Sequence, residues 1–240
     1  MKKYIPNAIA IIIALVIVAL GYIYIIGKSV PQTNSSKSSE EVTKKTDGLN
    51  LDGVSIKGDP KASATILEFG DYQCVACVQF FKMVEPSIKE KFIDTGKANM
   101  GFKTLSFIDS YAQKNGSGES WLASKAVACA QENGKFWQMH DEIYLAEISE
   151  LNANKEQENS GNLTEYFFIK SAKKIGLNEN EFKTCLLSDK YSKTSDNFLK
   201  DANIALGGQV ATPSVFIIKD GKATKLTNPF DISEYEAIIK

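Results

Sequence analysis

The stretch Phe69-Gly-Asp-Tyr-Gln-Cys-Val-Ala-Cys77 constrains this chain more than any other part of it. Its two cysteines, three positions apart, follow the apolar run Ala64-Thr-Ile-Leu-Glu-Phe69, which reads as a buried strand, and precede an amphipathic helix pattern. At a helix start, the free backbone N–H groups and the positive dipole end stabilise a thiolate, the reactive form of cysteine. Residues at i and i+3 of a helix lie about 5–6 Å apart at Cβ. Small adjustments then close a disulfide, whose Cα separation is roughly 4.4–6.8 Å. A strand that ends in Cys-x-x-Cys and turns at once into a helix is arranged for thiol–disulfide chemistry.

The rest of the composition narrows the alternatives. The 240 residues carry a formal net charge of −1, which leaves no basic footprint for nucleic-acid binding. All 28 basic residues are lysine, so bidentate guanidinium recognition of phosphate or carboxylate is absent. The single histidine, His140, all but excludes Cys–His nucleophilic pairs and multi-histidine metal sites. Neither cofactor nor metal is expected. Four cysteines remain, Cys74, Cys77, Cys129 and Cys185, and their meaning depends on compartment, because disulfides persist in oxidising spaces.

Taken in order, the chain opens with Met1-Lys-Lys and then runs from Ala8 to Ile26 without a charge. A helix of roughly 20 apolar residues crosses a bilayer. A cleaved signal peptide has a shorter apolar core, about 7–15 residues, and an Ala-x-Ala pattern that this segment lacks. Residues 1–26 are therefore expected to be a cytoplasmic tail and a retained single-pass transmembrane anchor. Lys2 and Lys3 favour a cytoplasmic N-terminus, which places the remainder outside the cytoplasm at the cell membrane. Residues 27–50, rich in Ser, Lys, Glu, Thr and Asn, cannot bury a core and read as a flexible tether. Its reach is about 27 Å on random-coil scaling.

The globular part is expected over residues 51–240. Val54–Lys57 is a short strand candidate, Ala64–Gly70 the buried strand, and the helix opened by the cysteines runs to about Thr95 with a kink at Pro86. Gly96 ends it, and Asn99–Phe107 alternates as a second strand, completing a βαβ unit. From about residue 116 to 206 the pattern is helical, in segments Trp121–Gln131, Lys135–Ile148, Leu163–Ile175, Glu179–Leu187 and Tyr191–Leu206. A polar loop, Glu150–Asn162, interrupts them. Ser214–Lys219 is the clearest strand, Asp220-Gly221 a hairpin turn, Lys222–Leu226 the returning strand and Ser233–Ile239 a closing helix. The expected architecture is α/β: a βαβ unit, an all-helical insertion and a ββα unit.

Three motifs in this order carry a resemblance to a known family. They are Leu67-Glu-Phe-Gly-Asp-Tyr-Gln-Cys-Val-Ala-Cys77, Ala128-Cys-Ala-Gln-Glu-Asn-Gly-Lys-Phe-Trp-Gln-Met-His-Asp141 and Ala211-Thr-Pro-Ser-Val-Phe216. The chain resembles the DsbA-like thioredoxin-fold thiol:disulfide oxidoreductases over residues 51–240. The resemblance implies a thioredoxin fold with an inserted helical subdomain, behind an N-terminal transmembrane helix. Cys74, nearer the helix start, is expected to be the exposed nucleophile, and Cys77, one turn inside, the buried resolving thiol. Thr212-Pro213 resembles the family's cis-proline turn, which lies beside the cysteines and lets the preceding backbone pair with a substrate peptide. Glu68, six residues before Cys74, matches the family's buried acid, which accepts the proton of the resolving thiol. On the other reading Glu68 points to the rim and pairs with a lysine, with Lys97 and Lys103 as candidates.

The chain also departs from that family. Val75 and Ala76 stand where the best-known oxidases have Pro-His, and they supply no charge or donor to the thiolate, so strong oxidising power does not follow. Other readings of the cysteines are half of a zinc site completed by Cys129 and Cys185, or a purely structural Cys74–Cys77 bond. Cys129 and Cys185 themselves are either a structural disulfide, favoured outside the cytoplasm, or two buried free thiols. His140 reads as helix-packing material beside Phe136 and Trp137. The resemblance implies an extracytoplasmic enzyme that forms disulfides in thiol-containing secreted or membrane proteins. A membrane reoxidase of the DsbB or vitamin-K-epoxide-reductase type would restore it. A reductase or isomerase of the same fold, and a non-catalytic peptide-binding or chaperone-like module, are the alternatives.

Overall fold

The computed structural model describes residues 48–240, except residues 115, 154, 156 and 157. The expected anchor, residues 1–26, and the tether as far as residue 47 lie outside the described residues. Among the described residues, no helix is long and apolar enough to cross a membrane.

The strand β2 (Ala64–Gly70) is central because both of its faces are apolar apart from Thr65 and Glu68. Alternation sends Ala64, Ile66 and Glu68 to one face and Leu67 and Phe69 to the other. On one side it pairs in parallel with β3 (Ala98–Thr104), with Glu68 opposite Phe102. On the other it pairs antiparallel with β4 (Ser214–Lys219), with Glu68 opposite Val215. With β1 (Ile56–Lys57) and β5 (Lys222–Lys225), the described strands form one sheet in the order β1-β3-β2-β4-β5. The parallel pair requires a crossover, which the helix behind the cysteines provides.

That helix comes in two pieces, α1 (Val75–Met83) and α2 (Glu85–Ile88), continued by a π-helical turn at Lys89–Ile93. The break falls at Val84, just before Pro86, whose ring and missing N–H are accommodated only in a first helical turn. Phe80, Val84, Ile88 and Phe92 pack on the Ala64–Ile66 face together with Tyr235 of the closing helix. Gly96, at φ 71, ends the crossover in the left-handed region that glycine tolerates.

Between β3 and β4 lie α3 (Phe107–Tyr111), α4 (Glu119–Gln131), α5 (Phe136–Asn152), α6 (Glu165–Lys174), α7 (Glu179–Leu187) and α8 (Thr194–Ala205); α9 (Ile232–Ile238) closes the chain. The inserted helices form their own core around Val127, Met139, Ile143, Phe168 and Leu186, and Tyr72, Cys74 and Cys77 belong to it. Helix α8 covers the opposite face of the sheet with Phe198 and Ala202 against Leu67 and Phe69. The cysteine loop therefore lies where the sheet meets the insertion.

Several expected boundaries move for physical reasons. β3 stops at Thr104 rather than Phe107, because the chain turns into α3, where the Ile108 N–H donates to Asp71 Oδ2 at 3.0 Å. β1 is reduced to Ile56–Lys57. Helix α5 runs four residues past Ile148, to Asn152. Asp109 accepts from the N–H groups of Ser120 (3.3 Å) and Trp121 (2.7 Å) at the start of α4. Gly118 permits this, since a Cβ there would lie 2.1 Å from the Asp109 carboxyl carbon.

Cys129 of α4 and Cys185 of α7 are bonded to each other, with Cα atoms 5.9 Å apart. The reading of two free thiols is thereby corrected, as is the tetrathiolate zinc set, since these two sulfurs bond each other and not a shared ion.

Candidate active site

β2 delivers the chain to Gly70, and Asp71-Tyr72-Gln73 turns it into α1, with Cys74 as the N-cap residue at φ −71, ψ 116. The Cys74 N–H donates to the Asp71 carbonyl at 3.0 Å, and the Cys74 carbonyl accepts the first helical bond from Val78 at 3.0 Å. The Asp71 side chain is fully buried and holds the turn from three directions. Its oxygens accept from the Gln73 N–H (3.1 Å), the Ser120 hydroxyl (2.6 Å) and the Ile108 N–H (3.0 Å). Burial pushes its carboxyl up to about 7, against those hydrogen bonds. Gln73 extends the clamp: its amide donates to Glu119 (3.0 Å) and its carbonyl accepts from the Asn159 N–H (3.0 Å). The residue before Cys74 is thus tied to the insertion. Asp71, Gln73, Ser120 and Glu119 have no role in the sequence-based reading; the one hint is an acid and an amide flanking Tyr72 immediately before the cysteines.

Both Cys74 and Cys77 are free thiols. Cys77 is fully buried and Cys74 is only 9% exposed, which corrects the expectation of an exposed Cys74. The covering group is the loop before β4, whose Thr212-Pro213 peptide is cis. There the Cys74 Sγ–H donates to the Thr212 carbonyl at 3.4 Å.

The two thiols differ electrostatically. Cys74 is lowered from 9.0 to about 6, first by the hydrogen bond from the Cys77 thiol. The Thr212 side chain and the N–H groups of Cys77 and Ala76 add to this, and burial opposes them. The Thr212 hydroxyl is buried with no other partner, so it is free to face the sulfur. Burial pushes Cys77 well above the ordinary thiol range, and its bond and proximity to Cys74 push it further. One sulfur is prepared to be a thiolate and the other to keep its proton. Backbone and neighbouring thiol provide what Val75 and Ala76 lack.

Glu68 is fully buried, and neither carboxyl oxygen makes a hydrogen bond. The rim placement is therefore corrected. Its pKa is raised well above the carboxylate range, first by burial, then by Glu85 and Cys74, while Lys57 acts in the opposite sense. Gly70, on the same face, leaves room for this carboxyl: a Cβ there would lie 2.5 Å from the Phe102 ring and 2.9 Å from Glu68 Oε1.

The suggested lysine partners are corrected too. Lys97 is exposed. Lys103 is fully buried on the opposite face, where Nζ meets Asp201 Oδ2 at 2.6 Å and the Gly48 carbonyl at 3.0 Å. His140 does more than pack. Its Nδ1 lies 3.0 Å from the Tyr72 hydroxyl and its Nε2 3.4 Å from Glu85 Oε1.

A family model described as thioredoxin matches residues 51–240. Disulfide bond formation protein D of Bacillus subtilis is 30% identical over 95 residues, 40% of this chain and 40% of that protein. A putative protein-disulfide oxidoreductase of Rickettsia conorii is 26% identical over 189 residues, 78% of this chain and 59% of that protein. The alignments thus span about two-fifths and three-fifths of these relatives' lengths. Among solved structures, oxidised BdbD from Bacillus subtilis superposes with a TM-score of 0.63 at 21% identity, covering 79% of this chain and 92% of that one. Wolbachia pipientis alpha-DsbA1 gives a TM-score of 0.60 at 22% identity, covering 81% and 94%. The shared fold is the thioredoxin fold with a helical insertion.

Proposed function

This chain belongs to the thioredoxin family, and on that premise we propose that it is a thiol:disulfide oxidoreductase that donates a Cys74–Cys77 disulfide to protein thiols. The observation that carries the reading is the split between the two sulfurs, Cys74 lowered to about 6 and Cys77 raised behind it. In the oxidised enzyme, a substrate thiolate attacks Cys74 Sγ and forms a mixed disulfide. The Cys74–Cys77 bond breaks, and Cys77 leaves with the electron pair and takes up a proton, with Glu68 as its donor. A second substrate thiolate then attacks the substrate sulfur of the mixed disulfide, and Cys74 leaves as a thiolate. The substrate loses two electrons and the enzyme gains them. A low-pKa thiol leaves faster, and stabilising it stabilises the reduced enzyme, so both effects favour donating the disulfide. The cis Thr212-Pro213 segment, against Cys74, is the proposed substrate-facing backbone.

The substrates are thiol-containing proteins, as the names of the relatives suggest. Placement outside the cytoplasm on a membrane anchor is part of the same proposal. It is supported by the uncharged run Ala8–Ile26 and by the Cys129–Cys185 bond, of a kind that persists in oxidising compartments. A membrane reoxidase of the DsbB or vitamin-K-epoxide-reductase type would then complete the cycle. The uncharged Val75-Ala76 pair favours a second reading, a reductase or isomerase of the same fold.

The test is oxidation of a reduced, unfolded protein by stoichiometric oxidised enzyme. Wild type is expected to transfer its disulfide and Cys74→Ala to transfer none; equal transfer by both would remove the proposal.

A further inference from the structure

The resolving half of this chemistry needs a route for one proton. When Cys74 has attacked an oxidant disulfide, Cys77–SH must lose its proton before its sulfur can attack Cys74 Sγ and expel the second thiolate. Glu68 can take that proton, but it is sealed from solvent on its own strand, with both oxygens buried and unpartnered. Something must connect it to water.

A line of polar groups leads outward from this position. Glu85, at the start of α2, has a side chain only 7% exposed. Its Oε1 lies 3.4 Å from His140 Nε2 and its Oε2 lies 3.8 Å from Lys57 Nζ. Lys57 Nζ in turn lies 3.8 Å from Asp141 Oδ1 and 4.5 Å above the Trp137 ring. The Lys57 and Asp141 side chains reach solvent, 23% and 47% exposed. They line an open cavity of about 350 Å³ whose wall includes Glu85. Buried polar atoms without hydrogen bonds gather along this line, on Glu68, Glu85, Trp137, His140, Asp141 and Tyr144. Buried polar atoms are costly to leave without hydrogen bonds. Ordered water bridging them would satisfy them and could carry a proton. Glu85 is the first residue after the helix break at Val84, and it lines this cavity.

We propose that Glu85 is a positioning residue for the exchange at Cys77, forming with Lys57, Asp141 and His140 the passage by which a proton moves between Glu68 and solvent. This rests on the disulfide-exchange reading given above. The electrostatics agree in sign: Glu85 helps hold a proton on Glu68 and Lys57 opposes it. The other titratable groups acting on Glu68 are Cys74 and Cys77 at the helix start, Tyr72 in the turn, Tyr144 on α5 and Tyr235 on α9, while His140 and Asp141 stand one step out, against Tyr72 and Lys57. The proton balance closes. Cys77 passes its proton to the Glu68 carboxylate, Cys77 Sγ bonds Cys74 Sγ, the oxidant's second thiolate leaves, and Glu68 returns the proton to solvent past Glu85.

The test is a stopped-flow reaction of the full reduced protein with dithiobis-nitrobenzoate, which releases one coloured thiolate when Cys74 attacks and a second when Cys77 resolves. Glu85→Gln is expected to leave the first release and its pH midpoint unchanged. It should slow the second several-fold and move its midpoint to lower pH by about one unit, a tenfold change in proton occupancy. Lys57→Gln, at a partly exposed strand position, should move that midpoint the other way. Opposite shifts confined to the second release support the passage. Unchanged midpoints, or parallel slowing of both releases in both variants, overturn it. A wild-type protein that never releases the second thiolate would instead overturn the exchange reading itself.

Discussion

Removing the Cys77 thiol tests how this site makes a thiolate. In wild type Cys74 is lowered from 9.0 to about 6, with the Cys77 hydrogen bond as the largest cause. Those three units correspond to about 4 kcal/mol of preference for the charged sulfur. A hydrogen bond to a charged group contributes about 1.5–3 kcal/mol, or about one to two units. Cys77→Ala should therefore raise the Cys74 midpoint to about 7–8, with the Thr212 side chain and two N–H groups retaining the remainder. The assay is the pH dependence of iodoacetamide alkylation, with Cys129 and Cys185 protected in their bond. The sign carries into stability: a depressed pKa lends the reduced fold stability that is present above the ordinary thiol pKa and is lost as pH falls through about 6. At pH 7 that contribution is about 1.4 kcal/mol, and at pH 5 it is close to nothing. A midpoint that stays near 6 in Cys77→Ala would contradict this, and would mean that Thr212 and the helix-start N–H groups make the thiolate without the Cys77 hydrogen bond.

Three further outcomes follow from other parts of the molecule. Replacing Cys129 and Cys185 with alanine opens a loop with a sequence separation of 56. Urea unfolding should show a loss of about 4 kcal/mol, with disulfide transfer retained by whatever fraction stays folded. Asp71 is raised from 3.8 to about 7, so the stability tied to its proton is complete below the unfolded pKa and is lost as pH rises through about 7. The wild-type unfolding free energy should fall more steeply between pH 5 and 8 than that of Asp71→Asn, by about 2.6 kcal/mol. Gly70→Ala places a methyl 2.5 Å from the Phe102 ring and 2.9 Å from Glu68 Oε1. The overpacking should lower stability by about 1–3 kcal/mol in the same assay.

What could be read from the residues was local. The apolar run at Ala64–Phe69, the cysteines behind it, the kink at Pro86 and the strand after Pro213 each carry their own signal within a few positions. From these the strand–helix junction and the βαβ and ββα halves follow. The partners of Glu68 do not. Strand alternation tells which face the carboxylate takes, but not that β1 would bring Lys57 there or that α2 would bring Glu85. Lys103 sits on the strand beside Glu68, but the pairing of β3 with β2 turns it to the other face, toward Asp201. Cys74 reads as exposed because a helix start is usually open, whereas a loop 138 positions later covers it. Asp71 was inconspicuous for the same reason, since two of its bonds go to Ile108 and Ser120 on separate helices.

Whether the Cys74–Cys77 couple donates disulfides is decided by its reduction potential in glutathione buffers. The thiolate stabilisation at pH 7, about 1.4 kcal/mol, raises the potential by about 30 mV over a couple of ordinary thiols. The potential should lie above that of thioredoxin, about −270 mV, on the side of DsbA at about −120 mV. Its pH slope should halve from about 59 to about 30 mV per unit as pH rises through the Cys74 pKa of about 6. A potential at or below about −270 mV, or one unbroken slope from pH 5 to 8, would contradict this.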